Sequence, residues 1–195
     1  MVFLLLILAK HMSQLHLEDR ELLLQFNDPL TKERGFTAII KKYQERLYWH
    51  IRRMVVQHED ANDVLQNMFI KVWNGLSNFR EDSQLYTWMY RIATNECLTF
   101  LEQQKKRASV SLSNEENGLS SQLKADKNFD SNKIEWKLQL AMQRLPDKQR
   151  AVFNLRYYDE MPYEEMSRVL ETSEGALKAS YHHAVKKIED YILNH

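Results

Sequence analysis

One cysteine stands in a chain of 195 residues. No internal disulfide can form and no cysteine-based zinc site can be built, and a lone thiol fits a reducing cytoplasm. Four glycines and three prolines leave few places for tight turns. That counts against all-β folds and against glycine-rich phosphate loops. A surplus of one charge is missing too: 27 Lys and Arg balance 27 Asp and Glu. Taken alone, this balance weighs against a nucleic-acid binder, whose usual footprint is a basic excess. Long apolar runs are absent as well. Val2 to Ala9 is apolar, but a bilayer-spanning helix needs about twenty such residues. Lys10 and His11 follow that run rather than preceding it, the wrong order for a secretory signal. Residues 1–11 therefore read as an apolar extension upstream of a natural start at Met12, with no stable membrane insertion expected.

What is present is helical periodicity. Phe36, Ile39, Ile40, Tyr43, Leu47, Ile51 and Met54 recur at three- and four-residue steps, which stacks them on one stripe. Ala61, Val64, Leu65, Met68 and Val72 repeat the rule, with Asp60 expected as the N-cap. A third stripe runs from Leu85 through Trp88, Met89, Ile92, Ala93 and Cys97 to Leu101, with Ser83 as its expected cap. A short helix over Leu17–Phe26 completes a first helical domain over residues 12–107. Residues 108–132 are rich in Ser and Asn with no apolar period, the composition of a flexible linker.

Periodicity resumes with Ile134, Leu138, Ala141, Met142 and Leu145. Pro146 and Pro162 each suit the first turn of a further helix. The break Glu171-Thr172-Ser173 separates a short helix from a long one, a helix-turn-helix pattern. The fold class expected is all-α: two small helical domains joined by a flexible linker, the second (133–195) containing the helix-turn-helix.

Catalytic constellations are not visible, and neither an enzyme nor a cofactor is expected. His58-Glu59 opens like a zinc-protease signature, but position 62 is Asn where the second His would stand. His182 and His183 point about 100° apart on a helix and cannot grip one ion from one face. Cys97 belongs to an apolar stripe and reads as a small core residue.

Three polar faces remain. On the last helix, Lys178, Ala179, His182, His183 and Lys186 oppose the apolar stripe, flanked by Ser180. Such a face can enter a major groove or simply meet solvent, and spacing alone does not choose. Near the third helix, Phe79, Tyr86, Trp88 and Tyr90 accompany Arg80 and Arg91, a combination suited to single-stranded DNA. Trp88 falls on the apolar stripe, whereas Tyr86 and Tyr90 are placed to be exposed. The second helix carries Asn62, Asp63, Gln66, Asn67 and Lys71. An acidic-amide face is no phosphate site; it is solvated surface or a docking face for a basic protein.

The stretches A-N-D-V-L-Q-N-M-F-I-K-V-W (Ala61–Trp73) and F-R-E-D-S-Q-L-Y-T-W-M-Y-R-I-A-T-N (Phe79–Asn95) resemble regions two-point-two to two-point-four of extracytoplasmic-function (ECF) sigma factors of the sigma-70 family. L-P-D-K-Q-R-A-V-F-N-L-R-Y-Y (Leu145–Tyr158), Y-E-E-M-S-R-V-L (Tyr163–Leu170) and G-A-L-K-A-S-Y-H-H-A (Gly175–Ala184) resemble their region four, in the family's order. The resemblance implies a transcription initiation factor that binds core RNA polymerase and promoter DNA and is held by an anti-sigma factor. It assigns Asp63, Gln66, Asn67 and Lys71 to polymerase docking. Arg80, Ser83 and Gln84 go to a loop that captures a flipped base of the minus-ten element. Trp88, Arg91 and Asn95 would line or support the strand path, and Lys178, Ser180, His182 and His183 would read the minus-thirty-five element.

This chain departs from the family at Ser180 and His183, where arginine is usual, which implies a different or less important upstream element. Glu96 and Glu102 likewise place acid where the family often has neutral or basic residues. Two other readings stay open: a stand-alone helix-turn-helix regulator and a protein-interaction scaffold. The zero balance also conceals local asymmetry. Between Arg34 and Met54, Arg34, Lys41, Lys42, Arg46, Arg52 and Arg53 face only Glu45.

Overall fold

The computed structural model describes residues 18–110 and 134–194. The apolar extension 1–11 and nearly all of the expected linker lie outside the described residues. Those described form α-helices and one 3-10 turn, with no strand. None of the described helices is long and apolar enough to cross a membrane.

The first bundle comprises α1 (18–27), α2 (Lys32–Val55), α3 (His58–Gly75), the 3-10 turn Leu76–Asn78 and α4 (Leu85–Val110). The periodic stripes form its core: Ile39, Leu47, Ile51 and Met54 from α2 meet Met68 and Val72 from α3 and Met89, Ala93 and Cys97 from α4. Hydrophobic burial at these positions orients all three helices. Phe26 of α1 is fully buried against Phe36 and Trp73, at ring-centroid distances of 6.0 and 5.3 Å. Asp19 fastens the same helix, accepting from Tyr43 Oη at 2.6 Å and Lys42 Nζ at 2.7 Å.

Both expected caps of this bundle are corrected. Val56 turns the chain with φ 75°, and α3 starts at His58 from an extended Gln57. Asp60 is thus inside the first turn, beside the positive end of the helix dipole rather than capping it. Burial, followed by the neighbouring Asp63 and Glu59, raises its pKa. Ser83 lies outside α4, and its hydroxyl donates to the Gln84 carbonyl at 3.4 Å. Gln84 occupies the cap position, its carbonyl accepting from Trp88 N at 3.1 Å.

The second bundle comprises α5 (Ile134–Gln143), α6 (Asp147–Tyr157), α7 (Tyr163–Leu170) and α8 (Glu174–Asn194). Pro146 and Pro162 stand at the N-caps of α6 and α7. Between α7 and α8 the chain turns at Glu171 (φ 51°), and Ser173 Oγ accepts from Ala176 N at 3.4 Å. Met142, Leu145, Phe153, Ala184 and Ile188 form a local core.

The bundles do not stand apart. Ala151, Val152, Leu155, Met161, Met166, Val169 and Leu177 join the first bundle's core cluster. Arg150 through Leu155 are all buried, and consecutive buried residues encircle a helix. So the middle of α6 is covered on every side, with α8 against one flank and α2 and α4 against another.

Candidate nucleic-acid and partner interfaces

Burial of Val64, Met68 and Val72 turns the opposite face of α3 outward, so Asp63, Gln66, Asn67 and Lys71 are all exposed. Lys71 is paired with Glu96 of α4 and has less charge to offer a partner than the other three suggest. Sequence reasoning missed Ile70, which is 53% exposed on the same face as Asp63 and Asn67. Trp49 of α2 is 46% exposed, beside Tyr48, whose hydroxyl lies 2.7 Å from His58 Nδ1. A large apolar side chain within a polar helix face was the available signal for Ile70, since exposed polar neighbours leave it no core to enter.

Residues 79–84 connect the 3-10 turn to α4 and leave Arg80 exposed, with Ser83 and Gln84 half-buried. Glu81 adopts φ 57°, which bends this loop sharply. Trp88 is half-buried and packs against Phe79 at 5.2 Å, beneath Gly75. It supports the loop from below. Gln84, Trp88, Arg91 and Asn95 fall within about 60° around the helix, making one stripe, and Arg91 and Asn95 are exposed. Loop and stripe therefore bring this set together along one edge of the first bundle.

The neighbouring face of α4 overturns one expectation. Tyr90, expected to be exposed, is 2% accessible, and Tyr86 is half-buried. The second bundle covers them: Tyr90 Oη donates to Asp159 Oδ1 at 3.2 Å and Thr87 Oγ1 to Glu165 Oε2 at 2.6 Å. Arg91 pairs with Glu171 in the turn before α8. Burial and the Asp159 carboxylate push the Tyr90 hydroxyl well above the ordinary phenol range. His50 is wholly buried beside it, with Nδ1 2.8 Å from Asp159 Oδ2 and Nε2 3.0 Å from Thr94 Oγ1. Neither His50 nor Asp159 was singled out from the sequence, because their meeting spans the two halves of the chain.

On α8, burial of Leu177, Ala184 and Ile188 leaves Lys178, His182 and His183 on the exposed side. Ser180 is half-buried on the flank nearer Tyr181, which stacks on Phe153 at 5.8 Å. It is less accessible than the other three. Lys178 Nζ contacts Glu174 at 3.3 Å and lies 5.4 Å from the Tyr163 ring centroid. The two histidine rings sit 6.0 Å apart at 55°, diverging as helix geometry requires. Among the described residues no group of three or more His, Cys, Asp or Glu could hold a metal ion. Cys97 is fully buried, and burial pushes its thiol far above the ordinary range.

Comparison with known proteins matches both halves. Residues 39–107 match the family model described as sigma-70 region 2, and residues 135–188 match sigma-70, region 4. The chain is 30% identical over 165 residues to the RNA polymerase sigma-H factor of Pseudomonas aeruginosa, covering 80% of this chain and 86% of that protein. It is 28% identical over 170 residues to the ECF RNA polymerase sigma-E factor of Escherichia coli K12, covering 82% and 87% respectively. Among solved structures, CnrH in complex with the cytosolic domain of CnrY has a similar fold, with TM-score 0.63 and 19% identity over 88% of this chain and 95% of that one. The sigma factor RpoE of Bartonella quintana, solved with the anti-sigma factor NepR, gives TM-score 0.62 and 18% identity over 82% and 97%.

Proposed function

Since the chain belongs to the sigma-70 family, among its ECF sigma factors, we propose that it binds core RNA polymerase in the cytoplasm and directs it to promoters. Asp63, Gln66 and Asn67, together with Ile70, make the docking face on α3. Arg80, Ser83 and Gln84 engage an unpaired base of the minus-ten element, Trp88 supports that loop, and Arg91 and Asn95 follow the strand. Lys178, His182 and His183 read the upstream element in the major groove, with Ser180 at the edge of the contact. Promoter opening comes from holding unpaired bases, and transcription then initiates without a catalytic step in this subunit. An anti-sigma factor is the expected protein partner, as NepR is of the structurally similar RpoE.

The observation that carries this reading is the outward exposure of the polar faces of α3 and α8, each opposite a buried stripe, together with exposed Arg80, Arg91 and Asn95 along the edge at α4. Run-off transcription with core enzyme and a genomic promoter pool, read by sequencing, tests it. Defined start sites that depend on the protein are expected, and none would refute the reading. Asp63→Arg combined with Gln66→Ala should weaken retention on immobilised core enzyme while leaving the circular-dichroism melt unchanged. Undiminished retention would remove the α3 assignment.

A further inference from the structure

The imidazoles of the described residues are of two kinds. His50 and His58 have both ring nitrogens engaged, the first by Asp159 and Thr94 and the second by Tyr48 and Asn62. His182 and His183 are exposed on α8, and among the described residues neither takes part in a hydrogen bond or an ion pair. Their rings sit 6.0 Å apart. Consecutive helix positions diverge by about 100°, so the pair spreads along the outward face and addresses two points of it.

Their surroundings are cationic. Lys178 and Lys186 stand one turn to either side of His182, and Lys186 and Lys187 come one turn after His183. No acid of α8 lies within a turn of either ring. Glu174 is held by Lys178 at 3.3 Å, and Glu189 and Asp190 come two turns later, about 10 Å along the axis. From α6, Gln149 accepts from Lys187 Nζ at 2.9 Å, and Asp147 is taken by Arg150 and Lys105. Arg156, Tyr157, Glu160 and Tyr163, from α6, α7 and their connection, line a cleft with Tyr181. Arg144, just beyond α5, stacks over Tyr191 at 4.8 Å. None of these groups pairs with the two imidazoles.

We infer that the grip of α8 on the upstream element is switched by protons: as pH falls, His182 and His183 each add a positive charge to the face that meets the duplex. The inference rests on the proposed role of α8 and adds its regulation. Histidine is the side chain whose charge ordinarily changes between about pH 5 and 8. An arginine, usual in the family at position 183, stays charged throughout. Protonation turns an imidazole with one donor and one acceptor into a cation with two donors, suited to phosphate oxygens and guanine acceptors. The flanking lysines repel added charge on the free helix, whereas duplex phosphates attract it, so proton uptake and DNA binding reinforce each other. At alkaline pH Lys178 and Lys186 remain, and the grip is weakened rather than lost. The magnitude follows from counterion release. Each neutralised phosphate steepens log affinity against log salt by about 0.9, so two added cations raise the affinity gained between 200 and 50 mM salt by up to about twelvefold.

The test uses holoenzyme assembled from core polymerase and the full-length chain. The probe is a fluorescein-labelled promoter duplex taken from the run-off pool, with its upstream element present or removed. Anisotropy gives affinity at pH 5.5 and 8.0, in 50 and 200 mM KCl. The parent is compared with His182→Gln/His183→Gln, neutral at both pH values, and with His182→Arg/His183→Arg, charged at both. Titration elsewhere in the polymerase is common to all three and cancels. The parent should match the Arg pair at pH 5.5 and the Gln pair at pH 8.0, and this response should vanish on the duplex without the upstream element. A parent that tracks the Gln pair at both pH values, or the Arg pair at both, would overturn the inference, as would a Gln pair that keeps the parent's pH response. Removing the upstream element separates the two claims. An equal cost to the parent at both pH values refutes the switch and leaves α8 as the reader, whereas no cost at either refutes the α8 assignment with it. Both positions are exposed, and the two variants bracket the parent from opposite sides, so a folding defect in one leaves the other to decide.

Discussion

Gly35→Ala sets helix propensity against packing and gives them opposite signs. Gly35 lies within α2, where alanine is favoured over glycine by up to about 1 kcal/mol. Its Cα, however, is where α1 crosses. A Cβ there would lie 2.7 Å from Phe26 N and 2.9 Å from the Gln25 carbonyl carbon, both backbone atoms, and 3.0 Å from Gln25 Cβ. Comfortable contacts are about 3.5–4.0 Å, and backbone atoms cannot rotate aside, so α1 must retreat. That loosens Phe26 and Leu23, both buried. Complete loss of two large apolar side chains would cost about 3–6 kcal/mol, which sets the ceiling. Overpacked sites relieved by small backbone shifts cost about 1–3 kcal/mol. After the propensity gain, a net destabilisation of about 1–2 kcal/mol is expected, lowering Tm by about 3–6 °C in a chain of this size. Gly175→Ala is the internal control, since a Cβ there meets nothing within 4 Å and only the propensity gain applies. Thermal melts followed by circular dichroism measure both. A Gly35→Ala melt at or above that of Gly175→Ala would refute the close approach of α1.

Ile70→Asn should leave Tm within about 2 °C, because exposed substitutions stay within about 0.5 kcal/mol, while core-polymerase retention falls about tenfold if Ile70 is a central contact. Lys178→Ala should lower transcription only from promoters that carry the matching upstream element; equal loss on promoters lacking it would show that α8 is not the reader. Cys97 should stay unreactive toward Ellman's reagent in the native chain at pH 9, where an ordinary thiol with pKa about 8.5 is mostly ionised. Its raised folded pKa means that the native state keeps a proton the unfolded state releases. Stability linked to Cys97 is therefore intact below the ordinary thiol range and declines as pH rises above it. Denaturation midpoints of the parent and Cys97→Ala, compared across that range, measure the loss.

Burial places Asn62, Asp63, Gln66 and Asn67 outward and Cys97 inward, as their helical spacing predicts, because one amphipathic period fixes which side of a helix meets water. The helix-turn-helix break at 171–173 was equally legible, since the polar run Glu171-Thr172-Ser173 lies between two apolar stripes. Tyr90 was misread for an equally definite reason. Its spacing of three, seven and eleven residues from Ala93, Cys97 and Leu101 puts it on their buried side, but nothing local reports that His50 and Asp159 will receive its ring and hydroxyl.

By itself, then, the sequence determined what depends on neighbours a few residues apart: the all-α class, the two halves, the polar faces of α3 and α8, and the family resemblance. Tertiary structure decided what depends on residues far apart in the chain. His50 meets Asp159, Arg91 meets Glu171, Lys71 is occupied by Glu96, and Gly35 admits the backbone of α1. The physical reason is that periodicity fixes a helix's orientation toward a core, but not which helix supplies that core. For α6 the core lies on all sides, so no single stripe in Arg150–Leu155 could have announced it.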